Sequence, residues 1–169
     1  MEIRDYNGEG RWSRQDLLCR YAEYARALGV APRDLSPVER QERGVKWVYP
    51  VMDRVIEGIN AGDGACVVLG IEFIEEDAGF PFGRILKANA ARALRRATLT
   101  EEQKARVRRR VLRMLREGYV PREYEQYAKL LVRVGVNEDE LRAVGPHLKR
   151  GDARVRRFYD YFSRAVQRG

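Results

Sequence analysis

Two sets of residues in this chain have the types and spacing to do chemistry. The first is the run EFIEEDAGFPFG at residues 72–83, which puts Glu72, Glu75, Glu76 and Asp77 within six positions. Glu72, Glu75 and Glu76 stand at i, i+3 and i+4, so on a helix they share one face. Such a face suits metal ligation or acid–base work. Carboxylate metal sites in helical bundles add a Glu-x-x-His from facing helices. This chain has one histidine, His147, far from the run. Glycosidase-type acid–base pairs face each other across a cleft, which one helix face does not offer. The expected role is therefore structural. The acids close one helix and serve the positive start of the next, with Arg84 and Lys87 as counter-charges. Phe80 and Phe82 are expected to anchor the turn in the core. No catalytic residue, metal ligand or cofactor is assigned.

The second set is the arginines. The chain holds 28 Arg against 5 Lys and carries a net charge of +8. The excess is local. Residues 1–83 have 10 basic and 15 acidic side chains, whereas residues 84–116 have 12 and 2, a net of +10. Residues 117–148 come to −2, and residues 149–169 have 7 basic and 2 acidic, a net of +5. On the helix expected from residue 101, Arg106, Arg109, Arg110, Arg113 and Arg116 fall opposite Val107, Val111 and Met114. On the last helix, Arg150, Arg154, Arg157, Tyr161, Arg164 and Arg168 recur at spacings of 4, 3, 4, 3 and 4, opposite Phe158, Phe162 and Val166. Arginine pairs with phosphate bidentately, and an interleaved tyrosine suits unpaired bases.

The elements that must position these residues read as helices. Ser13 caps a first helix that Gly29 ends. Ser36-Pro37-Val38-Glu39 resembles a second start, followed by Val45, Val48, Met52, Val55 and Ile59 at helical spacing, with a kink or break expected at Pro50. Residues 65–74 read as a buried helix starting near Asp63, because no second strand exists for them to pair with. Ile85 to Leu94 mark another helix. Thr100, Pro121, Asn137 and Asp152 open the rest, with Gly118 and Gly145-Pro146 as breaks. The expectation is a single all-α domain over 1–169. It would hold seven or eight short antiparallel helices and suggests an α-solenoid of the HEAT-like kind.

The stretch from Gly70 to Leu115, with its acidic helix end, aromatic turn, basic helix and LTEEQ start, resembles bacterial all-helical proteins of uncharacterised function. The resemblance covers about a quarter of the chain. It implies a helical fold and carries over no functional residue.

Composition bounds the rest. Cys19 and Cys66 form no CxxC and are expected as buried free thiols. The polar start MEIRDYNGEG has no apolar leader, and no run is long enough to span a membrane, so a soluble cytoplasmic protein is expected. There is no P-loop, no G-x-S-x-G and no Cys–His pairing at a catalytic spacing. Zinc-finger spacing and a basic leucine zipper are also missing. The favoured function is non-enzymatic binding of nucleic acid or another polyanion by the basic helix faces. The alternatives are a helical protein–protein interaction module, with an acidic N-terminal and a basic C-terminal half, and an unrecognised enzyme. A simply solvated face is the plain counter-reading of the stripes, although ordinary surfaces mix both signs more evenly.

Overall fold

A computed structural model describes residues 1–77 and 80–169. Most helix boundaries follow from caps that are legible locally. Helix α1 (Arg14–Leu28) starts where the Ser13 side chain accepts the Asp16 amide, and it stops at Gly29, whose φ of 65° suits glycine. Helix α3 (Gly64–Glu75) starts at Asp63, whose Oδ1 accepts the amides of Ala65 and Cys66 at 2.9 and 3.0 Å. It is a helix as expected, and it is buried on most sides because it packs against α1, α2 (Val51–Asn60) and α4 (Gly83–Leu94). The chain divides into two compact units, Met1–Thr98 and Leu99–Gly169.

The first unit departs from an all-α chain. Three short strands, β1 (Glu2–Asp5), β2 (Glu39–Glu42) and β3 (Val45–Val48), form a sheet in the order β1-β3-β2. β1 runs parallel to β3, with Glu2 opposite Val45, and β2 runs antiparallel to it, with Glu42 opposite Val45. The helix expected from Ser36 does not form. Arg43 and Gly44 both take positive φ, 49° and 80°, as a two-residue hairpin turn of type I′ requires. Ser36 instead donates its amide to Asp34 Oδ1 at 2.8 Å and caps nothing. The helix expected to pass through Pro50 with a kink or break lies wholly after it: Val45 and Val48 belong to β3, and α2 begins at Val51. Pro50 offers no side-chain cap, and Asn7 supplies one from a distance, its Oδ1 accepting the Val51 amide at 2.8 Å.

Of the two free thiols, Cys66 is buried, and burial pushes its pKa up to about 12. Cys19 is exposed, contrary to expectation, because it lies on the solvent side of α1, away from Leu17, Tyr21 and Ala25. Tyr21 ties α1 to the start of α3: its hydroxyl donates to Asp63 Oδ2 at 2.6 Å and accepts the Arg33 amide at 2.8 Å.

The second unit contains α5 (Glu101–Glu117), α6 (Tyr124–Val134), α7 (Glu138–Val144) and α8 (Ala153–Arg168). Thr100 and Gln103 form a full capping box at the start of α5, and Gly118, at φ 72°, ends it. Asn137 and Asp152 cap α7 and α8. Tyr124 is fully buried, donates to the Val111 carbonyl at 2.9 Å, and stacks edge-on against Phe158 at 4.7 Å. That contact joins α5, α6 and α8 around one core. Eight α-helices and one small sheet are present among the described residues. None of the helices is long and apolar enough to cross a membrane.

Candidate nucleic-acid interface

The carboxylates of α3 are committed to holding the first unit together. Glu72 Oε2 accepts from Arg20 Nη1 at 2.5 Å and from Arg11 Nη2 at 3.0 Å, while its Oε1 accepts the Tyr24 hydroxyl at 2.6 Å. Glu76 Oε1 accepts Arg11 Nη1 at 3.2 Å. The Arg20 guanidinium lies 4.6 Å from the centroid of the Trp12 ring and donates to the Arg11 carbonyl. Burial, and then the hydrogen bond to Glu72, raise the Tyr24 pKa. Lys87 donates to the backbone carbonyl of Glu76, and Arg84 is exposed. Glu72 takes its counter-charges from Arg11 and Arg20, 61 and 52 residues upstream. Spacing along the chain carried no trace of that pairing. Among the described residues no group of three or more His, Cys, Asp or Glu is arranged to hold a metal ion.

This network predicts a stability effect. Glu72→Ala leaves the Arg20 guanidinium, whose side chain is 16% exposed, with only the Arg11 carbonyl, and the Tyr24 hydroxyl without its carboxylate. The expected cost is about 2–4 kcal/mol, since an uncompensated, mostly buried charge is the larger part of it. The Arg11 contact adds little, because Arg11 is half exposed and keeps Glu76. Glu72→Gln, which retains an acceptor oxygen, should cost less. Urea unfolding followed by tryptophan fluorescence checks this, and a neutral Glu72→Ala would show that the carboxylate does not hold the fold.

The expected Phe80–Phe82 anchor is half right. Phe80 packs edge-on against Phe73 at 5.3 Å between ring centroids. Phe82 is 52% exposed, at φ 55°, with its ring 5.1 Å from that of Tyr6. Of the turn expected at 78–82, Ala78 and Gly79 lie outside the described residues.

The basic stripes fare differently from each other. On α5, Arg109, Arg113 and Arg116 are exposed and Arg106 is partly so, but Arg110 is only 4% exposed. Arg110 follows Val107 by three and precedes Met114 by four, so it belongs to the buried face of α5, and a continuous five-arginine surface is not formed. Arg113 also lies 3.7 Å from Glu117.

On α8 the stripe from Arg154 to Arg168 shares the exposed face, and only Arg150 falls outside the helix. Val155, Phe158 and Phe162 are buried, and Arg154, Arg157, Arg164 and Arg168 are exposed, with Arg150 exposed just before the helix. Among the described residues none of these five arginines has a carboxylate within ion-pairing distance. No protein family model, no curated protein and no solved structure matches this chain.

Arg157, Tyr161 and Arg164 line a groove of about 150 Å³ between α6 and α8, together with Lys129, Glu125, Ala128 and Phe158. The Arg157 guanidinium lies 5.6 Å from the Phe158 ring centroid. Arg154 and Arg168 extend the row beyond the groove, and the α5 arginines do not line it. Lys129 was not foreseen. Its only local mark is the Glu125–Lys129 pair at i, i+4, closed here at 2.9 Å, which resembles an ordinary solvated pair.

Proposed function

We propose that the second unit binds a nucleic-acid backbone through the exposed face of α8. The observation that supports this is the row Arg154, Arg157, Arg164 and Arg168, four exposed guanidiniums without carboxylate partners among the described residues. The neighbouring helices follow the ordinary solvated pattern. Lys129 pairs with Glu125 at 2.9 Å, and Arg142 pairs with Glu138 at 2.7 Å. A row of like charges repels itself, and the phosphates of a nucleic-acid strand would neutralise it.

Charge distribution by unit supports the same reading. Residues 1–98 hold 15 basic and 15 acidic side chains, so residues 99–169, with 18 and 10, carry the whole net charge of +8. The binding is expected to be mainly sequence-independent, because charge neutralisation of phosphates carries no sequence information.

Fluorescence anisotropy with labelled DNA and RNA, single- and double-stranded, tests the proposal across a salt series. The logarithm of the affinity should fall linearly with the logarithm of salt, by roughly 0.9 per duplex phosphate neutralised. No binding to any of these at low salt would end the proposal. Equal competition by polyglutamate would point to an acidic protein partner instead.

A further inference from the structure

We infer that the groove between α6 and α8 takes one unpaired nucleobase on the Tyr161 ring while Arg157 and Arg164 hold the phosphates beside it, which makes the second unit selective for single strands. This rests on the backbone reading above and narrows it. Tyr161 follows Arg157 by four residues and precedes Arg164 by three, so both guanidiniums lie within one helical turn of the phenol on the same face. The half-buried Tyr161 ring is the main accessible apolar surface of the groove, resting over the buried Ala128 and Phe158, with Arg157 and Arg164 on either side. A bare phosphate would use the cations and leave that apolar lining in water. An unpaired nucleotide carries a flat apolar base and an anion together, and so matches both parts. In a duplex the bases are stacked inside, and an aromatic side chain in a shallow groove cannot reach them. Glu125, which pairs with Lys129 at 2.9 Å, sets a carboxylate on the α6 side. Paired there, it offsets the Lys129 charge and leaves the net positive charge of the groove at Arg157 and Arg164.

The test compares a single strand carrying 2-aminopurine with a duplex of equal length, for the wild-type protein, Tyr161→Ala and Tyr161→Phe. Wild type should bind the single strand more tightly and quench the 2-aminopurine. Tyr161→Ala should lose about tenfold in single-strand affinity, the scale of one base–aromatic stack, and lose the quench. Its duplex affinity should stay close to wild type. Tyr161→Phe, which keeps the ring, should behave as wild type. If Tyr161→Ala melts early, Tyr161→Leu fills the space without a π-face and should show the same loss. Salt-dependent binding that is equal for both strand types and indifferent to Tyr161→Ala overturns this inference and leaves the backbone proposal standing. A Tyr161→Phe loss as large as that of Tyr161→Ala also overturns it, since the hydroxyl would then be the contact. Absence of all binding by wild type removes the backbone proposal itself.

Discussion

Replacing Arg154, Arg157 and Arg164 together by Glu should weaken nucleic-acid binding on the order of 100-fold at low salt, by the usual scale of about 1 kcal/mol for each exposed charge pair. The three positions are exposed and unpaired among the described residues, so no internal ion pair is lost with them. Repulsion from the new carboxylates adds to the effect. The salt dependence should also flatten, by roughly one unit of slope per phosphate contact removed. That second readout separates lost contacts from a damaged fold, and a circular dichroism spectrum like that of wild type should accompany it. The same exchange at Arg109, Arg113 and Arg116 should have a smaller effect, because Arg113 already has Glu117 nearby and this face is interrupted by the burial of Arg110. Equal losses at both faces would show that overall charge, not the α8 row, governs binding.

Phe73→Ala should cost about 3–5 kcal/mol, the range for truncating a large buried aromatic. Phe73 is 1% exposed, and its ring meets Trp12 at 5.2 Å and Phe80 at 5.3 Å, with the Lys87 ammonium 5.6 Å from its centroid. Such a loss is a large part of the roughly 5–15 kcal/mol that a folded domain has in hand. Phe82→Ala should cost under about 1 kcal/mol, because a ring half in water recovers little burial and its positive φ is strained for any residue with a Cβ. Both tryptophans, Trp12 and Trp47, lie in the first unit, so urea unfolding read by tryptophan fluorescence reports on that unit alone. Equal costs at Phe73 and Phe82 would contradict the packing described here.

Most of the helices were legible in the sequence because their determinants are local, the helix expected from Ser36 being the exception. Ser13, Asp63, Thr100, Asn137 and Asp152 each cap a helix through a hydrogen bond to an amide two or three residues on, and Gly29 and Gly118 end helices by their own backbone freedom. The inward face of α8 was legible for the same reason, since a period of 3.6 separates Phe158 and Phe162 from Arg157 and Arg164 without reference to any other element. The sheet was not. Glu39–Glu42 has no apolar alternation, and a strand's hydrogen bonds go to partners that only the fold brings alongside, here the chain's first residues. Arg110 shows the limit on a single helix: its spacing from Val107 and Met114 places it with the buried face of α5, but an arginine there is buried only because the fold covers it. The partners of Glu72 and the joining of Lys129 with Tyr161 in one groove were decided by tertiary structure alone, because charge pairing and groove formation depend on distance in space, and residues dozens of positions apart have no fixed spacing that records it.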